Sequence, residues 1–269
     1  MTSALHEVSI VGVGRTAMAR RLETNTLSSC LEAAAAALAD AGLSVHDVDG
    51  ISARWPGPGG TVFLPGSSDW SNILGVPLRW VGDTYPQGVP AALEAAAAIV
   101  TGQCHTVLVF GGQADLSGGG KVASYTRPDN EFISSWGSIT QAQFALVAQV
   151  YFARYRPDRT RLASLAAVIR NAGSKNPDAV MSGRGPYSAE DVLASPIIAS
   201  PLHLLEVCLA TEGAAAMVIT SRERARNLRQ TPVRILGGAC EWYRQQYVDP
   251  PRYDEVGRIG EDAGRRAFA

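Results

Sequence analysis

Lysine is nearly missing from this chain. Lys121 and Lys175 are lysines and the other 22 cationic residues are arginines. With 24 basic against 25 acidic residues the net charge is −1, which argues against a dedicated nucleic-acid or membrane-surface protein. With so much alanine present, the arginine bias reads as genomic base composition, not function. Cysteine is scarce and scattered (30, 104, 208, 240) with no Cys-x-x-Cys pair. Neither a metal site nor a disulfide framework is suggested, and buried thiols in a reduced, cytoplasmic protein are expected. No apolar run approaches the ~20 residues needed to span a bilayer. The start, Met1-Thr-Ser-Ala-Leu-His-Glu7, lacks a basic stretch followed by an apolar one, so no secretory signal is visible.

What is present alternates between strand and helix signals, which predicts an α/β fold. At 269 residues the chain can bury a large core in one or two domains. A β-rich run at 8–11 ends at Gly12, and a helix is expected over 28–41, capped by Ser28 or Ser29 and stopped by Gly42. Residues 50–53 read as a strand, and 55–66, with three prolines and four glycines, as loop. A second alanine-rich helix at 89–101 leads into a strand at 106–110. Alanine helices pack closely, so both are expected to lie beside a sheet. Between 113 and 200, glycine clusters, prolines and two amphipathic stretches (138–155 and 159–172) suggest an excursion and not a sheet layer. After an arginine-rich turn at 222–229, Val233-Arg-Ile-Leu-Gly-Gly238 and an amphipathic helix at 259–268 begin the opening pattern again. This second copy stops at Ala269, so either the chain is a fragment or another polypeptide supplies the rest.

Two nucleotide lures fail. Gly12-x-Gly14-x-x-Ala17 mimics a dinucleotide fingerprint, but no clean apolar helix opens after it. Gly118-Gly-Gly-Lys121 lacks the spacing of a phosphate loop and is followed by Val122. The four histidines, 6, 46, 105 and 203, show no partner pattern, and His203 reads as packing or surface.

The most informative stretch is 201–220, Pro-Leu-His-Leu-Leu-Glu-Val-Cys-Leu-Ala-Thr-Glu-Gly-Ala-Ala-Ala-Met-Val-Ile-Thr. Its small residues let backbones approach closely after a tight turn, before a β-branched strand begins. It resembles the end of the first half of thiolase-superfamily enzymes, above all the sterol-carrier-protein-x and lipid-transfer-protein branch. That branch reads close to Pro-Leu-x-Leu-Leu-Asp-Cys-Cys-x-x-x-Asp-Gly-Ala-Ala-Ala, and here Glu206, Val207 and Glu212 replace Asp, Cys and Asp. Val8-Ser-Ile-Val-Gly-Val-Gly-Arg-Thr16, Val107-Leu-Val-Phe-Gly-Gly112, the helix after Trp136-Gly-Ser and the Lys175-Asn-Pro177 turn are similar to further family landmarks in the same order. The resemblance implies a thiolase-like α/β fold of layers αβαβα. Its first half would be 1–112 and 201–230, with a loop domain at 113–200 and the start of the second half at 231–269.

A thiolase nucleophile is a cysteine at the N-terminus of the helix that here starts near Val89, where the dipole and backbone amides favour a thiolate. Counting back from Gly102 puts it near Pro86, or at Gln87 or Gly88 with a short gap, and none of these is cysteine. The lipid-transfer-protein aldolases resemble this case, keeping the fold without the nucleophile and cleaving a β-hydroxyacyl-CoA by retro-aldol chemistry. Such cleavage needs a base for the hydroxyl proton and an oxyanion site for the thioester enolate. The resemblance implies Tyr85, Tyr243 or Tyr247 for the protons and Gln87, Gly88 and Val89 for the oxyanion. Arg154, Arg156, Arg159 and Arg161 are candidates for the coenzyme A phosphates, since guanidinium groups grip phosphate in a fork; a solvated helix end is the alternative. Coenzyme A enters as part of the substrate, with no covalently bound cofactor. The family further implies a homodimer through the first half and a small OB-fold (DUF35) partner subunit. A thiolase-type acyltransferase and a non-catalytic acyl-CoA-binding subunit stay open as alternatives.

Overall fold

The computed structural model describes residues 4–56, 62–63, 67–82, 88–114, 140–240 and 256–268. The chain forms two compact units, one of residues 1–120, 212–241 and 261–269, the other of 121–211 and 242–260.

The first unit is built on a mixed seven-stranded sheet. Its central strands are β1 (Val8–Arg15), β2 (Gly50–Pro56), β5 (Thr106–Gln113) and β8 (Gly213–Ser221). Shorter β3 (Val62–Phe63), β4 (Trp80–Gly82) and β9 (Val233–Arg234) complete it. The order is β3-β2-β5-β8-β1-β9, with β4 also on β2. Strands β2, β4 and β5 run parallel, and β8 is antiparallel to both β5 and β1.

The two alanine helices lie on opposite faces of this sheet. Helix α1 (Thr26–Ala41) buries Cys30, Ala33, Ala37 and Leu38 against Leu108, Phe110 and Val218. Helix α3 (Val89–Val100) buries Ala91, Ala95 and Ile99 against Val107, Val109 and Ile219. Successive strand residues point to alternate faces, so one apolar run such as 106–110 supplies both cores. Gly12 and Gly14 explain the close seat of α1, because a Cβ on either would collide with the backbone of Ala37 or Ala33. On the α1 side, helix α2 (Ser67–Leu74) contributes Trp70, which is fully buried edge-on to Phe110 at 5.2 Å between ring centroids.

Several boundaries differ from the sequence reading. Helix α1 begins at Thr26 and is capped by Asn25, whose side-chain oxygen accepts the Ser28 N–H at 2.9 Å; Ser29 is buried in the packing face instead. Asparagine caps as well as serine, and the cap lies where the chain turns, not where the apolar run starts. The expected loop at 55–66 is overtaken in part by strand pairing, since β2 continues through Pro56 and β3 pairs antiparallel with it. Proline is tolerated at such a strand end, where its missing N–H interrupts no inner ladder. Of the strand expected at 233–238, only Val233–Arg234 pairs with β1, at the sheet edge. Helix α2 and strand β4 have no strong periodic signal and went unread.

In the second unit, α4 (Thr140–Tyr155) and α5 (Arg159–Ser174) cover the two amphipathic stretches, followed by the short helix α6 (Ala189–Ala194). Its only described strands are β6 (Ile197–Ala199) and β7 (Leu202–His203), which form a small hairpin. Ala163, Ala167 and Val192 form its core with Tyr187, Leu193 and Leu205 around them. After β8, the short helix α7 (Arg222–Ala225) turns the chain, and α8 (Val256–Phe268) starts three residues before the expected 259.

Candidate functional site

The carboxyl ends of the parallel strands mark where an open α/β sheet accepts ligands. Strand β4 ends at Gly82 on that side, and α3 begins there. Gly88 caps α3 with φ 95° and ψ −121°, a backbone that a residue with a Cβ rarely adopts. No side chain caps the helix, Pro90 lies in its first turn, and the first backbone bond runs from Ala92 N–H to the Gly88 carbonyl at 2.9 Å. The amides of Val89 and Ala91 therefore have no intrahelical acceptor. Val89 is 66 % exposed, and a Cβ built on Gly88 meets nothing within 4 Å. Among the described residues nothing caps this helix start, which is positive in its local field and able to take an oxyanion.

Of the expected oxyanion residues, Gly88 and Val89 lie at this turn. Gln87 and Tyr85 fall outside the described residues, as do Tyr243 and Tyr247.

No cysteine occurs in the sequence between residues 83 and 92. Cys104 is buried at the far end of α3, its pKa pushed up to about 12 by burial and then by the negative charge of Asp49. Cys30 lies inside the α1 face, pushed up to about 12 by burial. Cys208 is exposed and Cys240 half-buried, and all four are free thiols.

Around the same end of the sheet runs the segment 16–22. Thr16 exchanges bonds with Ala214 (3.0 and 2.9 Å), and Ala19 pairs with Glu212 through both backbone groups (3.1 and 2.7 Å). The Glu212 carboxylate, 1 % exposed, accepts the Leu22 N–H at 2.5 Å. Thr26 bonds both backbone groups of Ala114 at 2.9 Å, latching α1 to the chain just after β5. Glu212 was legible as a departure from the family's aspartate, but nothing in the sequence announced its burial.

In the second unit the four arginines do not act alike. Arg156 and Arg159 line a hollow of about 500 Å³ with Gln149, Phe152, Ala153, Pro157 and Pro201; Arg154 and Arg161 are not among its lining residues. Arg159 is engaged internally: its Nη2 donates to the Pro201 carbonyl (2.7 Å) and Glu206 (3.2 Å), and the guanidinium lies 4.8 Å over Phe152. Arg156 ends α4 at φ 45°, the only positive φ of a non-glycine among the described residues. Arg154 lies over Tyr155 at 5.7 Å, and Arg161 is exposed. His203 packs, its ring nitrogen 2.6 Å from the Ser195 carbonyl. Among the described residues, no group of three His, Cys, Asp or Glu could hold a metal ion, and no helix is long and apolar enough to cross a membrane.

Comparison with known proteins gives this geometry a family. The chain is 31 % identical over 281 residues to a 17-hydroxy-3-oxo-4-pregnene-20-carboxyl-CoA lyase of Mycobacterium tuberculosis, an alignment spanning 94 % of this chain and 70 % of the lyase. Among solved structures, an Ltp2-ChsH2(DUF35) aldolase superposes with a TM-score of 0.75 at 27 % identity, covering 98 % of this chain and 70 % of that one. A monomeric SCP2-thiolase-like protein from Mycobacterium smegmatis, at 22 % identity and TM-score 0.63, shares the fold over 89 % of this chain and 51 % of that protein. No family model matches the sequence. The chain belongs to the thiolase superfamily, in its lipid-transfer-protein aldolase branch. Its fold is the thiolase-like α/β fold and its class that of an acyl-CoA aldolase-type enzyme.

Proposed function

We propose that this protein cleaves a carbon–carbon bond of a β-hydroxyacyl-CoA, of the steroid or lipid side-chain type, by a retro-aldol reaction. The observation that carries the reading is the start of α3: a helix N-terminus led by Gly88, with no side-chain cap among the described residues and no cysteine in the sequence from 83 to 92. A thioester oxygen bound to such amides can accept charge, while acyl transfer to a local thiol has no acceptor. A base takes the β-hydroxyl proton, that oxygen becomes a carbonyl, and the bond between the α and β carbons breaks. Its electron pair forms the thioester enolate, which the amides of the α3 start stabilise until the α carbon is protonated. Tyr85, Tyr243 and Tyr247 are the proposed proton carriers. Arg154, Arg156, Arg159 and Arg161 are the proposed coenzyme A contacts, with Arg156 and Arg161 the freer of the four. The segment from 113 to 200 serves as the loop domain, and 231–269 as the start of a second thiolase half.

The relative of steroid lyase name supports a steroid or similarly bulky acyl group, and the solved aldolase whose name includes a DUF35 component supports a partner subunit of that kind. A homodimer through the first half and a cytoplasmic location complete the proposal. The test is incubation with 17-hydroxy-3-oxo-4-pregnene-20-carboxyl-CoA, with and without that DUF35 subunit. The expected products are a ketone and a shorter acyl-CoA in equal amounts, formed without added free coenzyme A. Cleavage of a 3-ketoacyl-CoA that requires free coenzyme A, or no cleavage in either arm, would refute it.

A further inference from the structure

The corner between α4 and α5 is concave. Gln149, Phe152 and Ala153 on α4, Arg156 and Pro157 in the turn, and Pro201 on the hairpin line a hollow of about 500 Å³, within the roughly 300–1,000 Å³ typical of small-molecule sites. Phe152, Ala153 and the two proline rings give it apolar walls, and two polar groups remain to address a ligand. Gln149 donates its Nε2 to the Ser200 carbonyl at 3.0 Å, which leaves its Oε1 as an acceptor. Arg156 is exposed and holds φ 45°, a backbone strain of the kind that clusters at ligand clamps. The carboxylates of this corner are already engaged. Asp158 accepts the Thr160 N–H at 2.9 Å, and Glu206 accepts Arg159 at 3.2 Å and the His203 N–H at 2.8 Å. Four arginines (154, 156, 159 and 161) against these two carboxylates leave the corner net positive.

We propose that this hollow binds an adenine nucleotide, with the flat ring against the Phe152, Pro157 and Pro201 walls, its amino group donating to Gln149 Oε1, and a phosphate on the Arg156 guanidinium. Aromatic and apolar walls accept the face of a base, a side-chain amide reads the amino edge of adenine, and a guanidinium grips phosphate in a fork. An aliphatic ligand would leave Gln149 and Arg156 unused, and inorganic phosphate would leave the apolar walls unused. The 3′-phosphoadenosine end of coenzyme A and a free nucleotide share this chemistry. The first source rests on the coenzyme A contacts proposed above and narrows them from four arginines to Arg156; the second does not depend on them.

The experiment is calorimetry on the full chain with adenosine 3′,5′-bisphosphate and inorganic phosphate as probes. The bisphosphate is expected to bind at least tenfold more tightly than inorganic phosphate. Ala153→Trp fills the hollow, and Arg156→Gly removes the guanidinium while suiting the left-handed backbone. Each is expected to weaken bisphosphate binding at least tenfold with the circular dichroism spectrum unchanged. Binding that coenzyme A displaces, with a raised KM and an unaltered kcat for acyl-CoA cleavage in both variants, would support the site with the substrate as the source. Binding that coenzyme A does not displace, lost in the same variants, would support it with a free nucleotide as the source. No binding by the folded wild type, equal affinity for inorganic phosphate, or wild-type affinity in both variants would overturn the site. Acyl-CoA cleavage by the same preparation would then show that the reaction proposed above stands without it.

Discussion

The Glu212 carboxylate accepts the backbone N–H of Leu22 at 2.5 Å across 190 positions of sequence, with 1 % of the glutamate exposed. Together with the paired backbones of Ala19 and Glu212, this bond ties the segment after β1 to the residue before β8. Replacing Glu212 with alanine strands the half-buried Leu22 N–H and leaves a void where the buried carboxylate stood. Glu212→Ala should therefore cost about 2–3 kcal/mol in urea unfolding, and Glu212→Gln, which keeps an acceptor oxygen, clearly less. Equal losses in both variants would show that the negative charge, not the hydrogen bond, holds the segment.

Gly88 tests the start of α3. A Cβ there has free space around it but an unfavourable backbone, so the penalty of Gly88→Ala is conformational, about 1–3 kcal/mol. The chain should respond by shifting the helix start, and cleavage of the acyl-CoA should fall more than the melting temperature does. Wild-type turnover in Gly88→Ala would mean that this turn does not hold the oxyanion.

No cysteine should become acylated. With Cys30 and Cys104 pushed up to about 12, neither offers thiolate at neutral pH, so only Cys208 and Cys240 should react with iodoacetamide in the native protein. Mass spectrometry after incubation with acetyl-CoA should find unmodified thiols. Stoichiometric acylation of Cys104 or Cys208 would restore the acyltransferase reading.

Asp49 should make stability depend on pH. Burial pushes its carboxyl up, but the N–H groups of Thr106 and His105 and the His105 ring outweigh it and hold the group below its ordinary 3.8. A depressed folded pKa stabilises above the unfolded value and is lost as pH falls through the folded one. Asp49→Asn should thus be less stable than the wild type at pH 7, with the gap closing as pH drops below about 3.8 in urea titrations. A gap that is constant from pH 7 to pH 3 would contradict this.

Much of the architecture was legible along the chain. The strands at 8–11, 50–53, 106–110 and 213–220 and the helices near 28–41 and 89–101 carry local periodicity, and each appears near its expected place. Short-range rules were weakest where pairing decides. Val62 and Phe63 become strand because β2 lies beside them. Trp80–Gly82 becomes strand because its backbone runs parallel to Gly50–Ser52. Asn25, not Ser28, caps α1 because the chain turns three residues earlier.

By itself, then, the order of residues determined the alternation of strand and helix, the family, and the lack of a thiol before Val89. These depend on periodicity and identity, which are properties of neighbours in sequence. Only the tertiary structure decided that Glu212 is buried against Leu22, that Arg159 is spent on Glu206 and Pro201, and that α5 turns Leu165, Val168 and Ile169 outward. Burial and pairing belong to residues brought together across long loops. The helical repeat of α5 specifies that it has an apolar stripe, but which way the stripe faces is set by Val192, Tyr187 and Leu205 packing on its alanine side.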